Sequence, residues 1–234
     1  MTFMRIGEKP EIARLPLFRD MDDAMRERIF SGSFLQVFPP QLTLFEVGQR
    51  ADFLHVLVDG AVELYAAGGG RDTTMRIVEP VTSYILAAVI NDMPYLMSAR
   101  TLASSRILLV PAALMREVIK QDTALMQATM HELALGYRDL VRALTDMKLR
   151  QSAERLGHYL LEYSARHGEM WEFELSGEKR VLASLLGMTP ENLSRAFSTL
   201  KGHGVSTSGS KIRIEDRVAL SAFSRPDPVP ADQR

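Results

Sequence analysis

The spacing of hydrophobic and polar residues changes several times along the chain. Between about Pro10 and Phe30, apolar residues stand among charged ones at spacings that predict short amphipathic helices. From Phe34 to Val110 the apolar runs are short and are separated by glycine, proline and polar residues. This texture indicates several short strands of an antiparallel sandwich or roll. The Asp59-Gly60 pair predicts a hairpin, and the glycines at 68–70 favour a hairpin turn over a phosphate cradle.

A long helical pattern begins after Pro111. Its apolar residues recur at alternating steps of four and three through three heptads, which is typical of a coiled-coil seam. We expect this helix to pair with its copy, and the alternative is packing on its own β-domain. The predicted dimer interface consists of Met126, Met130, Leu133, Tyr137, Leu140, Leu144 and Met147. A hinge is expected between Lys148 and Ser152, followed by a second amphipathic helix from Ala153 to Arg166.

The stretch from Leu182 to Leu200 predicts two short helices joined by a tight turn. Gly187 suits the end of the first helix, because glycine adopts the left-handed conformation at little steric cost. Thr189 suits the N-cap of the second helix and Pro190 its first position. Such a pair is typical of a helix-turn-helix, whose second helix lies in the major groove of DNA. An ordinary helical hairpin in a protein core is the alternative.

The segment that follows predicts a wing. Val205 and the alternating residues 211–214 favour a β-hairpin, with residues 206–210 as its turn. Between Ser176 and Arg213 there are six basic and two acidic side chains, a local net charge of +4 in a chain of net charge −1. This contrast marks one face for phosphate contact. The candidate DNA-binding residues are Thr189, Glu191, Asn192, Ser194, Arg195, Ser198, Lys201, Lys179, Arg180 and Lys211.

Composition excludes several classes of protein and several kinds of functional site. The 234 residues suffice for two domains with their own cores, and the absence of cysteine excludes disulfides, thiolate nucleophiles and cysteine-held zinc or iron–sulfur clusters. The N-terminus has no apolar signal segment, and the longest apolar run, Tyr84 to Ile90, is too short to span a bilayer. We therefore expect a cytoplasmic protein without a membrane partner. No acid–base pair, nucleophile elbow or metal cluster suggests an enzyme.

The order of these parts resembles the Crp/Fnr family of bacterial transcription regulators, and the resemblance covers nearly the whole chain. It is carried by residues 47–65, similar to the family's cyclic-nucleotide-binding-type β-roll, and by residues 186–195, similar to its DNA-reading helix. The resemblance implies an α+β fold with N-terminal helices and a β-roll sensor over 1–110. It further implies a dimerisation helix over 111–150, a winged-helix DNA-binding domain over 151–225 and a disordered tail over 226–234. The implied partners are double-stranded DNA, a second copy of the chain and RNA polymerase.

The Glu-x-x-Ser-Arg pattern at 191–195 resembles the Fnr branch of the family. The resemblance implies that Glu191, Ser194 and Arg195 contact the bases of a TTGA-type half-site. The chemistry agrees, because a carboxylate accepts from cytosine N4 and a guanidinium binds guanine O6 and N7. Glu191 has an alternative role in stabilising the helix N-terminus. Pro190 stands where the cyclic-AMP receptor branch has an arginine, so we expect an inverted repeat near TTGA(C/T)-N4-(A/G)TCAA.

The sensor region departs from the cyclic-nucleotide binders. Residues 83–98 contain no arginine where the phosphate of the nucleotide needs one, and Leu140 and Val141 replace polar residues that touch the base in the cyclic-AMP receptor. Arg100 is expected to belong to the next strand. Cyclic AMP is therefore not expected as the effector. The predicted effector pocket comprises His55, Tyr84, Leu86, Tyr95, Met97, Leu133, Tyr137 and Leu140.

An apolar pocket of this kind resembles the nitric-oxide-responsive regulators of denitrification, in which haem is the implied sensor. His55 or His131 could supply an axial ligand to haem iron. The alternatives are a strand histidine with its own hydrogen bond and a solvated helix histidine, respectively. For the whole chain, the alternatives to an effector-responsive regulator are a module of the same fold without sequence-specific DNA binding, and a regulator that responds to a cyclic nucleotide.

Overall fold

A computed structural model describes residues 9–68, 71–174, 179–209 and 211–225, and the predicted disordered tail lies outside these ranges. The chain divides into two units, Met1–Tyr137 and Arg138–Arg234. Within the described ranges, no helix combines the length and the apolar character that crossing a membrane requires.

Two four-stranded antiparallel sheets form the centre of the first unit, as the alternating pattern predicts. The strands are β1 (Phe34–Phe38), β2 (Thr43–Phe45), β3 (Phe53–Asp59), β4 (Val62–Gly68), β5 (Arg71–Val78), β6 (Thr82–Tyr84), β7 (Ser98–Thr101) and β8 (Ser105–Pro111). One sheet has the order β1-β8-β3-β6 and the other the order β2-β7-β4-β5. The expected β-roll is confirmed.

The hairpin predicted at Asp59-Gly60 is wrong, because β3 and β4 belong to different sheets. Gly60 has a φ of +96°, and a Cβ at this position would lie 2.5 Å from the backbone oxygen of Ser104. The Ser105 hydroxyl bonds to both the amide and the carbonyl of Ala61. The turn thus carries the chain across the roll. The hairpin predicted at the glycines 68–70 is confirmed, because Gly68 pairs with Arg71 between β4 and β5. The turn residues 69–70 lie outside the described residues.

Short helices cover the roll, as the first apolar spacing predicts. They are α1 (Lys9–Ile12) and α2 (Asp23–Ser31), and a further helix, α3 (Leu86–Asn91), follows β6. Ile12, Phe18 and Ile29 are fully buried in the same hydrophobic core as the sheets. The apolar run predicted at 84–90 therefore includes a short helix, which the strand pattern did not indicate.

The helical region after Pro111 consists of two helices, α4 (Ala112–Ile119) and α5 (Thr123–Leu149). Asp122 stands at the start of α5, where its buried carboxylate accepts from the Leu125 amide at 2.8 Å and from the Asp22 amide at 2.9 Å. An aspartate at this position satisfies a backbone donor that has no partner within the helix. The capping carboxylate of Asp122 thus marks where the long helix begins.

The second unit is a winged helix-turn-helix with its own core. Its elements are α6 (Ser152–Arg166), β9 (Glu172–Glu174), α7 (Lys179–Leu185), α8 (Pro190–Lys201), β10 (Val205–Ser208), β11 (Lys211–Ile214) and α9 (Arg217–Ser224). Leu156, Leu160, Leu193 and Leu200 form the centre of its core. Residues 206–208, predicted as turn, extend β10 because Thr207 pairs with Ile212. Strand β9 pairs with β11 and was not predicted.

Candidate functional site

The turn before α8 has the capping geometry that the sequence predicts. Gly187 has a φ of +62°, a conformation that favours glycine. The Thr189 hydroxyl oxygen accepts from the Asn192 amide at 3.3 Å, and Pro190 occupies the first helical position. The start of the candidate recognition helix is therefore defined by residues that lie next to one another in the chain.

Helix α8 presents a polar face to solvent. Leu193, Ala196 and Leu200 are buried. The structure places the remaining predicted base-reading residues together on the exposed side of the helix, namely Glu191, Asn192, Ser194, Arg195 and Ser198, with Thr189 exposed at its start. Lys201 is exposed in the last turn, so a cation lies near the end of the same helix.

Two of these polar side chains form hydrogen bonds in the first turn of α8. A hydrogen bond with Thr189, the backbone amide and the charge of Arg195 hold the pKa of Glu191 below its usual range. Glu191 is therefore ionised at neutral pH and acts only as an acceptor. The Ser194 hydroxyl donates to the Pro190 carbonyl at 3.0 Å, which leaves its oxygen available to accept.

The structure changes the net charge that the sequence suggests around α8. Lys179, Arg180 and Lys211 are exposed, as a phosphate contact requires. Arg213 is also exposed, but its Nε lies 2.9 Å from Oε2 of Glu172. This hydrogen bond lowers the pKa of Glu172. The local net charge of +4 thus overstates the positive electrostatic potential of this surface, because strand β9, which was not predicted, brings carboxylates beside the wing.

An aromatic cluster lies inside the β-roll around His55. The centroid of the His55 ring lies 5.1 Å from the ring centroid of Phe45, 5.4 Å from that of Tyr84 and 6.4 Å from that of Tyr95. All four side chains are buried, as is Leu86, and Met97 is partly buried against the same core. Phe45 was missed by sequence reasoning, because a single aromatic residue in a three-residue strand gives no signal of its own. Among the predicted pocket residues, Leu133, Tyr137 and Leu140 are exposed on α5.

Burial dominates the electrostatics of this cluster. It lowers the pKa of His55 to about 4, against a smaller opposite effect of the Phe53 backbone. It also raises the pKa of Tyr84 above its usual range and that of Tyr95 to about 12. Within the described ranges, His55 Nδ1 and Tyr84 Oη have no protein hydrogen-bond partner. The cluster is therefore neutral at physiological pH.

Arg100 lies on β7, as expected, and its cation is already engaged. Its Nε is 2.7 Å from Glu63 Oε2, its Nη1 is 2.8 Å from Asp72 Oδ2, and its guanidinium carbon is 4.4 Å from the centroid of the Tyr65 ring. Glu63 is 1% exposed and also accepts from the Thr74 hydroxyl at 2.5 Å. Because a buried carboxylate without its partner is costly, Arg100 serves Glu63 and is not a free anion receptor.

The surroundings of the two candidate histidines do not fit haem. An axial histidine must direct one ring nitrogen at the iron. Three aromatic rings enclose His55 at centroid distances of 5.1 to 6.4 Å, and His131 is exposed on α5. The haem hypothesis therefore finds no support in this geometry.

Comparison with known proteins gives consistent results for the two units. Residues 35–122 match the cyclic nucleotide-binding domain family, and residues 154–223 match the Crp-like helix-turn-helix domain family. The CRP-like cAMP-activated global transcriptional regulator of Mycobacterium tuberculosis is 23% identical over 80% of this chain and 87% of its own length.

Two further similarities cover most of the chain. The transcriptional activator protein anr of Pseudomonas aeruginosa is 24% identical over 75% of this chain and 78% of its own length. The structure of FixK2 from Bradyrhizobium japonicum superposes with a TM-score of 0.74 at 20% identity, covering 85% of this chain and 99% of FixK2. The last similarity concerns the fold alone.

The buried imidazole predicts a pH-dependent stability. His55 has an ordinary pKa of 6.5 and a folded-state pKa of about 4. Below pH 6.5 the unfolded chain binds a proton that the folded chain does not, so stability falls until about pH 4, by about 3 kcal/mol in total. Urea unfolding of the His55→Phe variant at pH 7 and pH 4.5 should show a smaller loss than the parent chain. The matched control is the exposed His131→Gln, and equal pH dependence in all three proteins would contradict this assignment.

Proposed function

Because the chain belongs to the Crp/Fnr family of transcription regulators, we propose that it binds DNA as a homodimer and reads a TTGA-type inverted repeat. The observation that carries this proposal is the exposed face of α8, where Glu191, Ser194 and Arg195 lie together. Arg195 reads guanine through O6 and N7, and Glu191 accepts from cytosine N4. The exposed lysines at 179, 201 and 211 and Arg180 contact phosphates, which fix the register of the protein on DNA.

The dimer is supported by the exposed seam of α5. All seven seam residues, from Met126 to Met147, are between 37% and 70% exposed in the single chain. A contiguous apolar stripe at heptad spacing is stabilised when a second helix covers it. A second copy is the natural occupant, because a two-fold dimer places two recognition helices about 34 Å apart, as successive major grooves of a palindrome require.

The effector is proposed to be a molecule other than cyclic AMP. A cyclic phosphate needs a charge-assisted partner. Arg100 is held by two carboxylates, and the aromatic cluster around His55 carries no charge. An uncharged or largely apolar ligand suits this interior better than an anion. RNA polymerase remains the expected protein partner from the family resemblance.

The principal alternative is a regulatory module of the same fold without sequence-specific DNA binding. Fluorescence anisotropy with a labelled palindrome and a scrambled duplex separates the two. A regulator should bind the palindrome with a Kd of about 10⁻⁸ M or tighter at physiological salt. Weak binding of both duplexes that disappears with added salt would favour the alternative.

The effector proposal leads to a calorimetric prediction. Titration of cyclic AMP into the dimeric protein should give no saturable heat, since the interior of the roll offers the phosphate no free guanidinium. Arg100→Gln, which leaves Glu63 buried without its cation, is expected to destabilise the roll and not to change cyclic AMP binding. Stoichiometric binding of cyclic AMP would show that the chain is a cyclic-nucleotide-responsive regulator. A parallel absorption titration with haem should give no stoichiometric Soret band.

The DNA-reading assignment predicts a loss of specificity on substitution of Arg195. Arg195→Ala should cost about 1–3 kcal/mol of binding to the palindrome, and should relax the preference at the guanine of the half-site. The control is Lys201→Ala, which should weaken binding to all sequences alike and reduce the salt dependence by about one ion. If Arg195→Ala weakened the palindrome and a guanine-substituted duplex equally, the base-reading role would be excluded.

The dimer assignment predicts the effect of a charge in the seam. Leu140 is 63% exposed in the single chain, so Leu140→Glu should leave the fold intact and convert the dimer to a monomer. Thr145→Glu adds the same charge to an exposed position off the seam and should leave the dimer unchanged. Light scattering after size-exclusion chromatography measures both masses. Dimers of equal stability for the two variants would show that the seam is not the interface.

A further inference from the structure

The end of α5 and the end of α7 share one side chain as a hydrogen-bond donor. Arg155, on α6, donates from Nε to the Leu186 carbonyl at 2.9 Å. From Nη1 it donates to the Arg150 carbonyl at 2.9 Å and to the Met147 carbonyl at 3.4 Å. A single guanidinium therefore holds the C-terminal ends of two helices together.

Helix ends explain why an arginine suits this position. The last carbonyls of a helix have no donor within the helix and carry a partial negative charge. A guanidinium offers five donors in a rigid planar fork and stays charged. Arg155 is half-buried, and burial lowers its pKa from the ordinary value. The three carbonyls compensate for that desolvation only while both helix ends keep their positions.

A second contact joins the same elements. Gly187, whose φ is +62°, leaves space for the side chain of Met147. A Cβ at position 187 would lie 2.5 Å from Met147 Cε. Met147 belongs to the last turn of α5, and Gly187 lies in the turn that leads into α8. The long helix therefore ends directly against the turn of the helix-turn-helix.

The hinge expected between Lys148 and Ser152 is consequently a braced joint. Only Arg150 and Gln151 separate α5 from α6. The backbone amide of Gln151 donates to Glu154 Oε2 at 2.8 Å, which completes a capping box at the start of α6. Arg150 donates to the carbonyls of Ser224 and Arg225 at 3.0 and 2.7 Å, and forms an ion pair with Asp146. These contacts tie the joint to α9 as well.

We propose that Arg155 is a positioning residue that sets the half-site spacing which the dimer reads. This inference rests on the proposed function, because two copies paired through α5 carry their recognition helices at a separation that the α5–α7 angle determines. Groove matching requires a separation of about 34 Å. Arg195 selects the bases, and Arg155 selects the distance between the two groups of bases.

The experiment measures the spacer preference directly. Labelled duplexes carry the same two half-sites separated by two to eight base pairs, and a further duplex carries one half-site. Anisotropy gives the affinity of the full-length dimer for each duplex. The variants are Arg155→Gln, Arg155→Lys and, as a control for lost stability, Phe173→Leu, which trims a buried side chain of the second unit's core on β9. Thermal unfolding is recorded for each protein.

The parent chain should prefer one spacer over its neighbours by about tenfold or more, which corresponds to about 1.4 kcal/mol. Arg155→Gln should flatten this preference to about threefold or less while binding to the single half-site changes little, since the α8 face is intact. Arg155→Lys keeps the charge and should restore part of the preference. Phe173→Leu should lower the unfolding temperature and keep the spacer profile of the parent chain.

Two results would overturn the inference alone. One is an Arg155→Gln variant that keeps the parent spacer profile. The other is a uniform loss on every duplex, the single half-site included, that follows the loss of thermal stability and occurs equally in Phe173→Leu. If the parent chain bound no duplex specifically, the proposed function would fail, and the positioning role of Arg155 would fail with it.

Discussion

Helix ends are the constraint on which the second unit depends. Each helix leaves amides at its start and carbonyls at its end without internal partners, and a compact domain of short helices has many such ends. Here Thr189 serves the start of α8, Gln151 and Glu154 the start of α6, and Arg155 the ends of α5 and α7. The orientation of the exposed polar face of α8 follows from these satisfied ends, since α8 packs its apolar side in the core and begins at a capped residue.

The first unit follows a different requirement, the neutrality of its interior. In the sheet β2-β7-β4-β5, the deeply buried carboxylate of Glu63 is matched by Arg100 and the Thr74 hydroxyl. Around His55, by contrast, aromatic rings and a neutral imidazole fill the space between the sheets. The roll thus combines the topology of a cyclic-nucleotide-binding-type domain with an uncharged interior around His55. Topology and ligand chemistry are thus separate properties of this domain.

The errors of sequence reasoning have a common physical origin. Asp59-Gly60 is a good local turn signal, but the chain crosses between sheets there, and the Ser105 hydroxyl bonds to the backbone of Ala61 at the crossing. The charge count near the wing missed Glu172, which lies 41 positions from Arg213 and reaches it through the β9–β11 pairing. In both cases the deciding partner lies far away in the chain, and no local pattern identifies it.

Local capping and periodicity, by themselves, determined the principal elements of this protein. The left-handed Gly187, the Thr189 cap and Pro190 predicted where α8 begins, and the heptad spacing of α5 predicted a continuous apolar stripe, because these features depend on residues within one or two turns. Tertiary structure alone decided which sheet each strand joins, which carboxylates engage Arg100, and where Arg155 directs its donors. Leu186, for example, is 31 positions from Arg155. Such contacts depend on how helices and sheets pack in three dimensions, and residue spacing carries no record of that packing.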